Sequence, residues 1–290
     1  MLGSILKSGV KMPLMGLGTD GFKSLEALPA FLISALDRGV TMVDTATGYG
    51  SHAAVASALQ ARRREDLFVC SKFHSGNLFE SGGAVDVVVK QILTELKIDY
   101  LDQLLIHNPA VIDNFPDTLK ALIPLKEAGL IKSIGVSNFT VKYLNKLGAD
   151  LAHVDVNQVE FHPYLNQIGL AEFCKSQGIR IMAYRPLCEG GELLADARIT
   201  KIAEAREKTP AQIILRWLVQ QEMTPVVRTS SLEHLAENWA AFDFELTKSE
   251  MDIISGMNRG YRSCTGPWAR FDDLVAEASA KADNDLTPGK

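Results

Sequence analysis

The chain has few cysteines, and their spacing suits neither a metal site nor a disulfide framework. Its 290 residues include four, Cys70, Cys174, Cys188 and Cys264, which lie far apart and form no Cys-x-x-Cys pair. The sequence also lacks His-x-His and His-Glu-x-x-His, spacings that bring two histidines to one metal ion. We therefore predict free thiols in a reducing compartment and no metal site.

The chain also lacks the features of a nucleic-acid-binding or membrane protein. Its net charge is −5, whereas a protein that binds phosphates needs a basic face. No apolar run approaches the length of a membrane span, and MLGSILKSGVKMP has no apolar core followed by a cleavage site. We expect a cytoplasmic protein with no nucleic-acid or membrane partner, either a monomer or a weak oligomer.

Short β-rich runs alternate with amphipathic stretches along the chain. The eight runs cover residues 14–19, 41–45, 67–72, 100–107, 131–137, 154–161, 179–184 and 224–229. Stretches such as SLEALPAFLISALDRG and DVVVKQILTELK lie between them and have helical spacing. Strands that alternate with helices in this way are parallel, because each return needs a crossover helix.

Eight such units in about 250 residues predict an α/β protein with one domain over residues 1–290, a closed (β/α)8 TIM barrel. A doubly wound open sheet is the alternative fold, but it usually carries GxGxxG after its first strand, and GLGTDGF lacks that spacing. The segment GSILKSGVKMP predicts an N-terminal β-hairpin turning at Ser8–Gly9, which could close the bottom of the barrel.

Polar and ionisable side chains follow most of the predicted strands. Active sites of this fold lie at the C-terminal ends of the strands, so we expect these side chains to meet at one rim. In chain order they are Asp44, Tyr49, Lys72, His74, His107, Asn108, Ser137, Asn138, Asn157, Gln158, Glu160, Tyr184, Arg185, Arg228 and Thr229.

Four of these residues together could protonate a carbonyl oxygen. A tyrosine phenol has a pKa of about 10, and we expect the ammonium of Lys72 to lower the pKa of Tyr49. Asp44 would keep Lys72 charged and oriented. A neutral His107 could hold the substrate oxygen. The set predicts an acid that protonates an oxygen as it gains charge.

The sequence resembles the aldo-keto reductases over nearly its whole length. The motifs that carry the likeness occur in the family's order: MPLMGLGT, VDTA…Y, SK, LLIH, GVSNF, NQVEFHPY, AYRPL and the Glu-Asn of HLAENW. The resemblance implies a (β/α)8 barrel that reduces carbonyls with NAD(P)H, without metal or flavin. It maps the family's catalytic tetrad onto Asp44, Tyr49, Lys72 and His107, with Tyr49 as proton donor.

The resemblance also implies where NADP(H) binds. It assigns the nicotinamide carboxamide to Ser137, Asn138 and Gln158, and the stacking ring to Tyr184. It places Thr19 and Asp20 beside the nicotinamide ribose, Arg228, Thr229 and Ser230 at the 2′-phosphate, and Glu237 and Asn238 near the adenine. The remaining expected cofactor contacts are Asp44, Arg185, Pro186, Leu187 and His234.

Three cofactor positions depart from the family's usual residues. Arg228 replaces a lysine, and arginine is the better bidentate phosphate ligand. His234, mostly neutral at pH 7, replaces an arginine, which weakens the case for strict NADPH use. Arg185 replaces a small serine and could bind the pyrophosphate or form a surface ion pair. We predict NADPH preference, with NADH possible.

The expected substrate pocket is polar. Asp20, His74 and Asn108 occupy positions where relatives with apolar pockets have tryptophans. We predict a small, polar aldehyde or ketone, contacted by Tyr49, His74, His107 and Asn108. The family's substrate loop corresponds to residues 259–273, which could close over the substrate or form a loosely packed tail. Its candidate contacts are Arg262, Trp268, Arg270 and Phe271.

Two other functions compete with carbonyl reduction. The barrel could bind the cofactor without turnover, which an assay of cofactor oxidation with several aldehydes would reveal. It could instead be a metal-dependent hydrolase or lyase that uses His107 and Asp44, which a chelator would inhibit. We expect His162 to be a structural hydrogen-bond donor beneath the site.

Overall fold

A two-stranded hairpin begins the structure, a computed structural model that describes residues 3–22, 24–109 and 114–264. Strand β1 (Gly3–Ile5) pairs antiparallel with β2 (Lys11–Pro13). The turn contains Gly9 at a φ of 84°, a left-handed conformation that glycine adopts without a steric penalty. The predicted hairpin is confirmed.

Eight parallel strands follow and close into a barrel. They are β3 (Gly16–Gly18), β4 (Met42–Asp44), β5 (Phe68–Phe73), β6 (Leu101–Ile106), β7 (Ile131–Ser137), β8 (Val154–Glu160), β9 (Arg180–Tyr184) and β10 (Thr224–Val227). Each strand pairs with its neighbour in sequence, and β10 also pairs with β3, which completes the ring. The predicted closed barrel is confirmed, and the alternative of an open sheet is wrong.

Helices connect and surround the strands. The α-helices are α1 (Leu28–Asp37), α2 (His52–Leu59), α3 (Ser75–Glu80), α4 (Val85–Leu96), α5 (Phe115–Glu127), α6 (Val141–Asn145), α7 (Ile168–Ser176), α8 (Ala197–Arg206), α9 (Pro210–Gln220), α10 (Leu232–Trp239) and α11 (Lys248–Ser255). Short 3₁₀ helices cover Thr47–Tyr49, Arg64–Asp66, Gly148–His153 and Ala240–Phe242. None of the helices in the described ranges is both long and apolar enough to cross a membrane.

The hairpin closes the N-terminal end of the barrel. The backbone N–H of Ser8 donates to Oδ1 of Asp155, at the start of β8, over 2.9 Å. Leu6 and Met12 are buried against an inner cluster of Met42, Phe68, Cys70, Leu105, Val156, Met182 and Val226. Among the described residues, apolar side chains therefore fill this end of the barrel.

The inner packing leaves no room for a side chain at Gly135. This glycine lies in β7 between Leu105 of β6 and Val156 of β8. A Cβ atom built there would lie 2.9 Å from the backbone oxygen of Val156 and would overlap Cδ2 of Leu105. The backbone oxygen is fixed by the sheet, so the strands would have to separate.

We expect Gly135→Ala to lower the free energy of unfolding by about 2 kcal/mol, the usual cost of overpacking a core. Gly169→Ala is the matched control, because Gly169 lies in the first turn of α7 and its Cβ would meet no atom within 4 Å. That control should change stability by less than about 1 kcal/mol. Urea unfolding, monitored by circular dichroism, measures the free energy of unfolding of both variants. Equal stability of the two variants would contradict this account of the packing.

Candidate active site

The ends of three neighbouring strands bring together the four residues expected to act on a carbonyl. Asp44 is the last residue of β4, Lys72 lies near the end of β5, and His107 directly follows β6. Tyr49 ends the 3₁₀ turn that begins three residues after β4. The parallel register of the barrel therefore fixes all four side chains on one rim.

The amine of Lys72 is the centre of this group. Its Nζ atom donates to Oδ1 of Asp44 at 2.5 Å, to the backbone oxygen of Thr45 at 3.0 Å and to the hydroxyl of Tyr49 at 3.2 Å. These contacts use the three hydrogens of an ammonium group. The rings of Tyr49 and His107 meet edge to face, with centroids 5.7 Å apart.

Lys72 stays charged although its side chain is completely buried. Burial alone would lower its pKa, but the adjacent carboxylate of Asp44 raises it, and the net pKa lies above the ordinary lysine value. The amine is therefore a fixed positive charge at neutral pH, directed at the oxygen of Tyr49.

The prediction that the pKa of Tyr49 is lowered is wrong, because its net pKa is raised. Burial raises the pKa of Tyr49 to about 12, and the opposing effect of Lys72 is smaller. The charge on Asp44 acts in the same direction as burial and contributes to this net value. Lys72 thus acts in the expected direction, but desolvation of the phenolate outweighs it. Tyr49 consequently keeps its proton at neutral pH.

His107 is neutral, as expected from the sequence. Its pKa falls to about 3, mainly because of burial, with smaller contributions in the same direction from the charge of Lys72 and from His74. A neutral imidazole has one N–H donor and one acceptor nitrogen. His107 can therefore donate a hydrogen bond to a ligand oxygen without bringing a second positive charge to the rim.

A chain of polar side chains extends from this group along the next strands. Nε2 of Gln158 donates to Oδ2 of Asp44 at 2.8 Å. Nδ2 of Asn138 donates to the backbone oxygen of His107 at 3.1 Å, and the hydroxyl of Tyr184 donates to Oδ1 of Asn138 at 2.8 Å. Two amide side chains and a tyrosine are thus held rigidly beside the reactive group.

A cavity of about 1030 Å³ opens over the rim. It is at the upper end of the volumes usual for small-molecule pockets. The expected site residues in its wall are Asp20, Asp44, Tyr49, His74, His107, Asn108, Ser137, Asn138, Gln158, Tyr184, Arg185, Pro186, Leu187, Arg228 and His234.

Five expected cofactor residues do not line this cavity: Thr19, Thr229, Ser230, Glu237 and Asn238. Thr19 is buried, and its hydroxyl donates to the backbone oxygen of Asp44 at 3.1 Å. Glu237 accepts a hydrogen bond of 2.5 Å from the hydroxyl of Thr209, at the start of α9. Both residues therefore form hydrogen bonds within the protein.

Arg185 forms an ion pair and also lines the cavity, so it has features of both predicted roles, the surface ion pair and the cofactor contact. Its Nη1 atom lies 3.1 Å from Oε1 of Glu189, which is the ion-pair alternative, and donates to the backbone oxygen of Ser263 at 2.8 Å. The residue also lines the cavity. Its left-handed backbone, with a φ of 48°, is uncommon for a side chain of this size.

Sequence reasoning missed several residues of the cavity wall, including Glu189, Gly190 and Cys264. Cys264 reaches the wall because residues 259–264 fold back across the barrel mouth, where the N–H groups of Arg259 and Tyr261 donate to the backbone oxygen of Tyr164. No local sequence pattern predicts that this segment folds back to the barrel. The expected contacts Trp268, Arg270 and Phe271 lie outside the described residues, as does the rest of the proposed substrate loop from residue 265.

Metal-ligating side chains do not cluster in the described residues. No group of three or more His, Cys, Asp or Glu side chains between residues 3 and 264, within the described ranges, is arranged to hold a metal ion.

Comparison with known proteins shows strong similarity to one family. The model of the Aldo/keto reductase family matches residues 14–259. The chain is 38% identical over 271 residues to the glyoxal reductase of Bacillus subtilis, covering 90% of this chain and 95% of that one. It is 34% identical over 262 residues to the methylglyoxal reductase DkgA of Salmonella typhimurium, covering 89% of this chain and 94% of that one.

A solved structure is similar along almost the whole chain. The crystal structure of MGS-M4, an aldo-keto reductase enzyme from a deep-sea metagenome library, has 33% sequence identity and a TM-score of 0.85. The match covers 93% of this chain and 99% of that one.

We expect Asp44→Asn to lower the free energy of unfolding by about 3 kcal/mol, because it leaves the buried amine of Lys72 without its counter-charge. Asp86→Asn is the matched control: it removes the exposed ion pair in which Lys90 lies 2.9 Å from Asp86. That loss should cost less than about 1 kcal/mol. Urea unfolding at pH 7 measures the free energy of unfolding of both variants. A similarly small effect of both substitutions would show that Lys72 does not depend on Asp44.

Proposed function

The chain belongs to the aldo/keto reductase family, and from this premise we propose that it uses NADPH to reduce small, polar aldehydes or ketones. The observation that carries the proposal is the contact of 3.2 Å between the ammonium of Lys72 and the hydroxyl of Tyr49, at the floor of a large cavity. It gives the site an acid of the kind that carbonyl reduction requires.

Tyr49 is the proposed proton donor. An ammonium group has no acceptor, so the Tyr49 oxygen accepts the hydrogen bond from Lys72, and its own O–H is left to point at another acceptor. A substrate carbonyl oxygen beside His107 would be that acceptor. As this oxygen becomes an alkoxide it is a stronger base than a phenolate, so a phenol with a pKa of about 12 still releases its proton to it.

The other three residues support that transfer. Lys72 stabilises the phenolate left on Tyr49, and Asp44 holds Lys72 charged in its buried position. His107, being neutral, donates a hydrogen bond to the carbonyl oxygen and fixes its place. NADPH, when bound, supplies the hydride that the carbonyl carbon receives.

One residue of the cavity wall, Arg228, has the chemistry to bind a phosphate. Arg228 directly follows β10, and its Nη1 atom lies so close to Gly21 that a Cβ there would overlap it. The guanidinium therefore reaches from the end of β10 to the loop after β3. It would bind the 2′-phosphate that distinguishes NADPH from NADH. The family resemblance adds Thr229 and Ser230, the next two residues, although they do not line the cavity. Ser137, Asn138 and Gln158 would hold the nicotinamide carboxamide, with Tyr184 against the ring.

Polar residues in the cavity wall support a small, hydrophilic substrate. Asp20, His74 and Asn108 line the cavity near Tyr49 and His107. Two similar proteins are named glyoxal reductase and methylglyoxal reductase. We propose short dicarbonyl or hydroxylated aldehydes as the substrate class.

We expect Tyr49→Phe to lower kcat/KM for reduction of methylglyoxal by about 10³-fold, the usual contribution of a positioned acid. The dissociation constant of NADPH should stay within about three-fold, because the change removes only the proton donor. Tyr100→Phe is the control, since Tyr100 immediately precedes β6 at the opposite end of the barrel. Unchanged turnover by Tyr49→Phe would rule out Tyr49 as the acid.

We expect Arg228→Gln to lower kcat/KM for NADPH by about 30-fold, because the substitution removes charge-assisted hydrogen bonds to the phosphate. The value for NADH should change by less than about three-fold, since NADH carries no such phosphate. Arg38→Gln, at the exposed end of α1, controls for loss of a surface charge. Equal losses with both cofactors would contradict the assignment of Arg228 to the 2′-phosphate.

A further inference from the structure

A completely buried carboxylate lies beneath the wall of the cavity, and the proposed reaction does not use it. Glu160 is the last residue of β8, and its side chain has no exposed surface. Its Oε1 atom accepts hydrogen bonds from the backbone N–H of Ser263 at 2.7 Å and from the hydroxyl of Ser263 at 2.6 Å. Its Oε2 atom accepts one from the backbone N–H of Cys264 at 3.1 Å.

Two further side chains complete the surroundings of this carboxylate. Nε2 of His162 lies 3.1 Å from Oε1, which fits the structural role expected for that histidine. Nη1 of Arg262 lies 3.6 Å from Oε2. Burial acts to raise the pKa of Glu160, but the hydrogen bonds from His162, Ser263 and Cys264 outweigh it and leave the pKa below its ordinary value. Glu160 is therefore ionised at neutral pH.

Contacts at both of its ends attach the segment of residues 259–264 to the barrel. At its start, the guanidinium of Arg259 stacks 3.8 Å above the ring of Tyr164 and pairs with Glu192 on the surface. At its end, Ser263 is held between two groups, because its N–H and hydroxyl contact Glu160 and its backbone oxygen accepts from Arg185.

This second attachment sets the position of a cavity wall. Cys264 lines the cavity together with Tyr184 and Arg185. All three adjoin the strand ends at which Glu160 and Tyr184 pair in register. If Ser263 and Cys264 moved outward, the wall beside Tyr184 would move with them.

We propose that Glu160 is a positioning residue, which fixes Ser263 and Cys264 against the barrel so that residues 259–264 form one wall of the substrate cavity. The part that concerns substrate rests on the proposed function. Glu160 touches neither Tyr49 nor Lys72 in the contacts of the described residues, so it acts through the shape of the cavity and not on proton transfer.

Without the carboxylate, the attachment becomes unfavourable. The N–H groups of Ser263 and Cys264 would be buried without a partner, and such groups cost more than exposed ones that bond to water. The segment would therefore move toward solvent. Substrate binding would weaken, while the acid and its supporting amine would remain as they are.

The test compares Glu160→Gln with wild type in two measurements. Gln keeps the volume of the side chain but loses its charge and turns an N–H₂ group toward donors. The first measurement is the rate of trypsin cleavage after Arg262, whose side chain is only 15% exposed, followed by mass spectrometry. The second is steady-state reduction of methylglyoxal with NADPH.

We expect Glu160→Gln to speed cleavage after Arg262 by about ten-fold and to raise KM by about ten-fold, as loss of hydrogen bonds to a charged group would produce. The kcat value should stay within about three-fold, because Tyr49 and Lys72 are not touched. The dissociation constant of NADPH should rise with KM, because the displaced wall adjoins Tyr184 and Arg185. Ser263→Ala, which removes only the hydroxyl contact, should shift cleavage and KM in the same direction by a smaller factor. If Glu160→Gln does not fold, Ser263→Ala provides the test in its place.

Glu192→Gln is the matched control, because it removes the exposed contact of the same segment with Arg259. It should leave KM and cleavage after Arg262 within about two-fold, as expected of a surface ion pair. Unchanged cleavage and KM in both Glu160→Gln and Ser263→Ala would overturn the proposal, and so would a fall in kcat with KM unchanged. Failure of the wild type to reduce any carbonyl would defeat the proposed function, while the cleavage rates would still test the attachment.

Discussion

A buried ammonium group with one carboxylate partner is the constraint on which the site depends. Lys72 has no exposed surface, and its charge persists because Asp44 lies 2.5 Å away. Asp44 is itself held by the amide of Gln158, from the opposite side of the barrel. The closed sheet is what brings these three residues within reach, so the fold and the chemistry are coupled through a single ion pair.

Burial gives the two neighbouring titratable groups their separate roles. It disfavours the charged form of each, so it raises the pKa of Tyr49 and lowers that of His107. Both groups are therefore neutral at the same pH, one with a proton to release and the other able to donate a hydrogen bond. Glu160 shows the complementary case, in which a buried group stays charged because hydrogen-bond donors surround it.

Much of the fold and the placement of the site followed from the sequence, because both depend on periodicity. Strand–helix alternation predicts parallel strands, and parallel strands put Asp44, Lys72 and His107 on one rim. The net pKa of Tyr49 did not follow, since desolvation depends on how completely the folded chain surrounds the phenol. Cys264 was missed in the cavity wall because residues 259–264 return to the barrel from a distant part of the sequence, and no local pattern predicts that return. Glu189 lies in the loop after β9, and its side chain enters the wall through the path of that loop, which periodicity does not predict.

The central claim is that Tyr49 holds its proton at neutral pH despite its contact with a charged lysine. Carbon-13 NMR of protein labelled at the tyrosine Cζ atoms measures this directly, with the Tyr49 signal assigned by its absence in Tyr49→Phe. We predict that this signal keeps the chemical shift of a phenol from pH 6 to beyond pH 10, the ordinary tyrosine pKa, because burial raises the pKa of Tyr49 to about 12. A titration to phenolate near pH 8 would contradict the account.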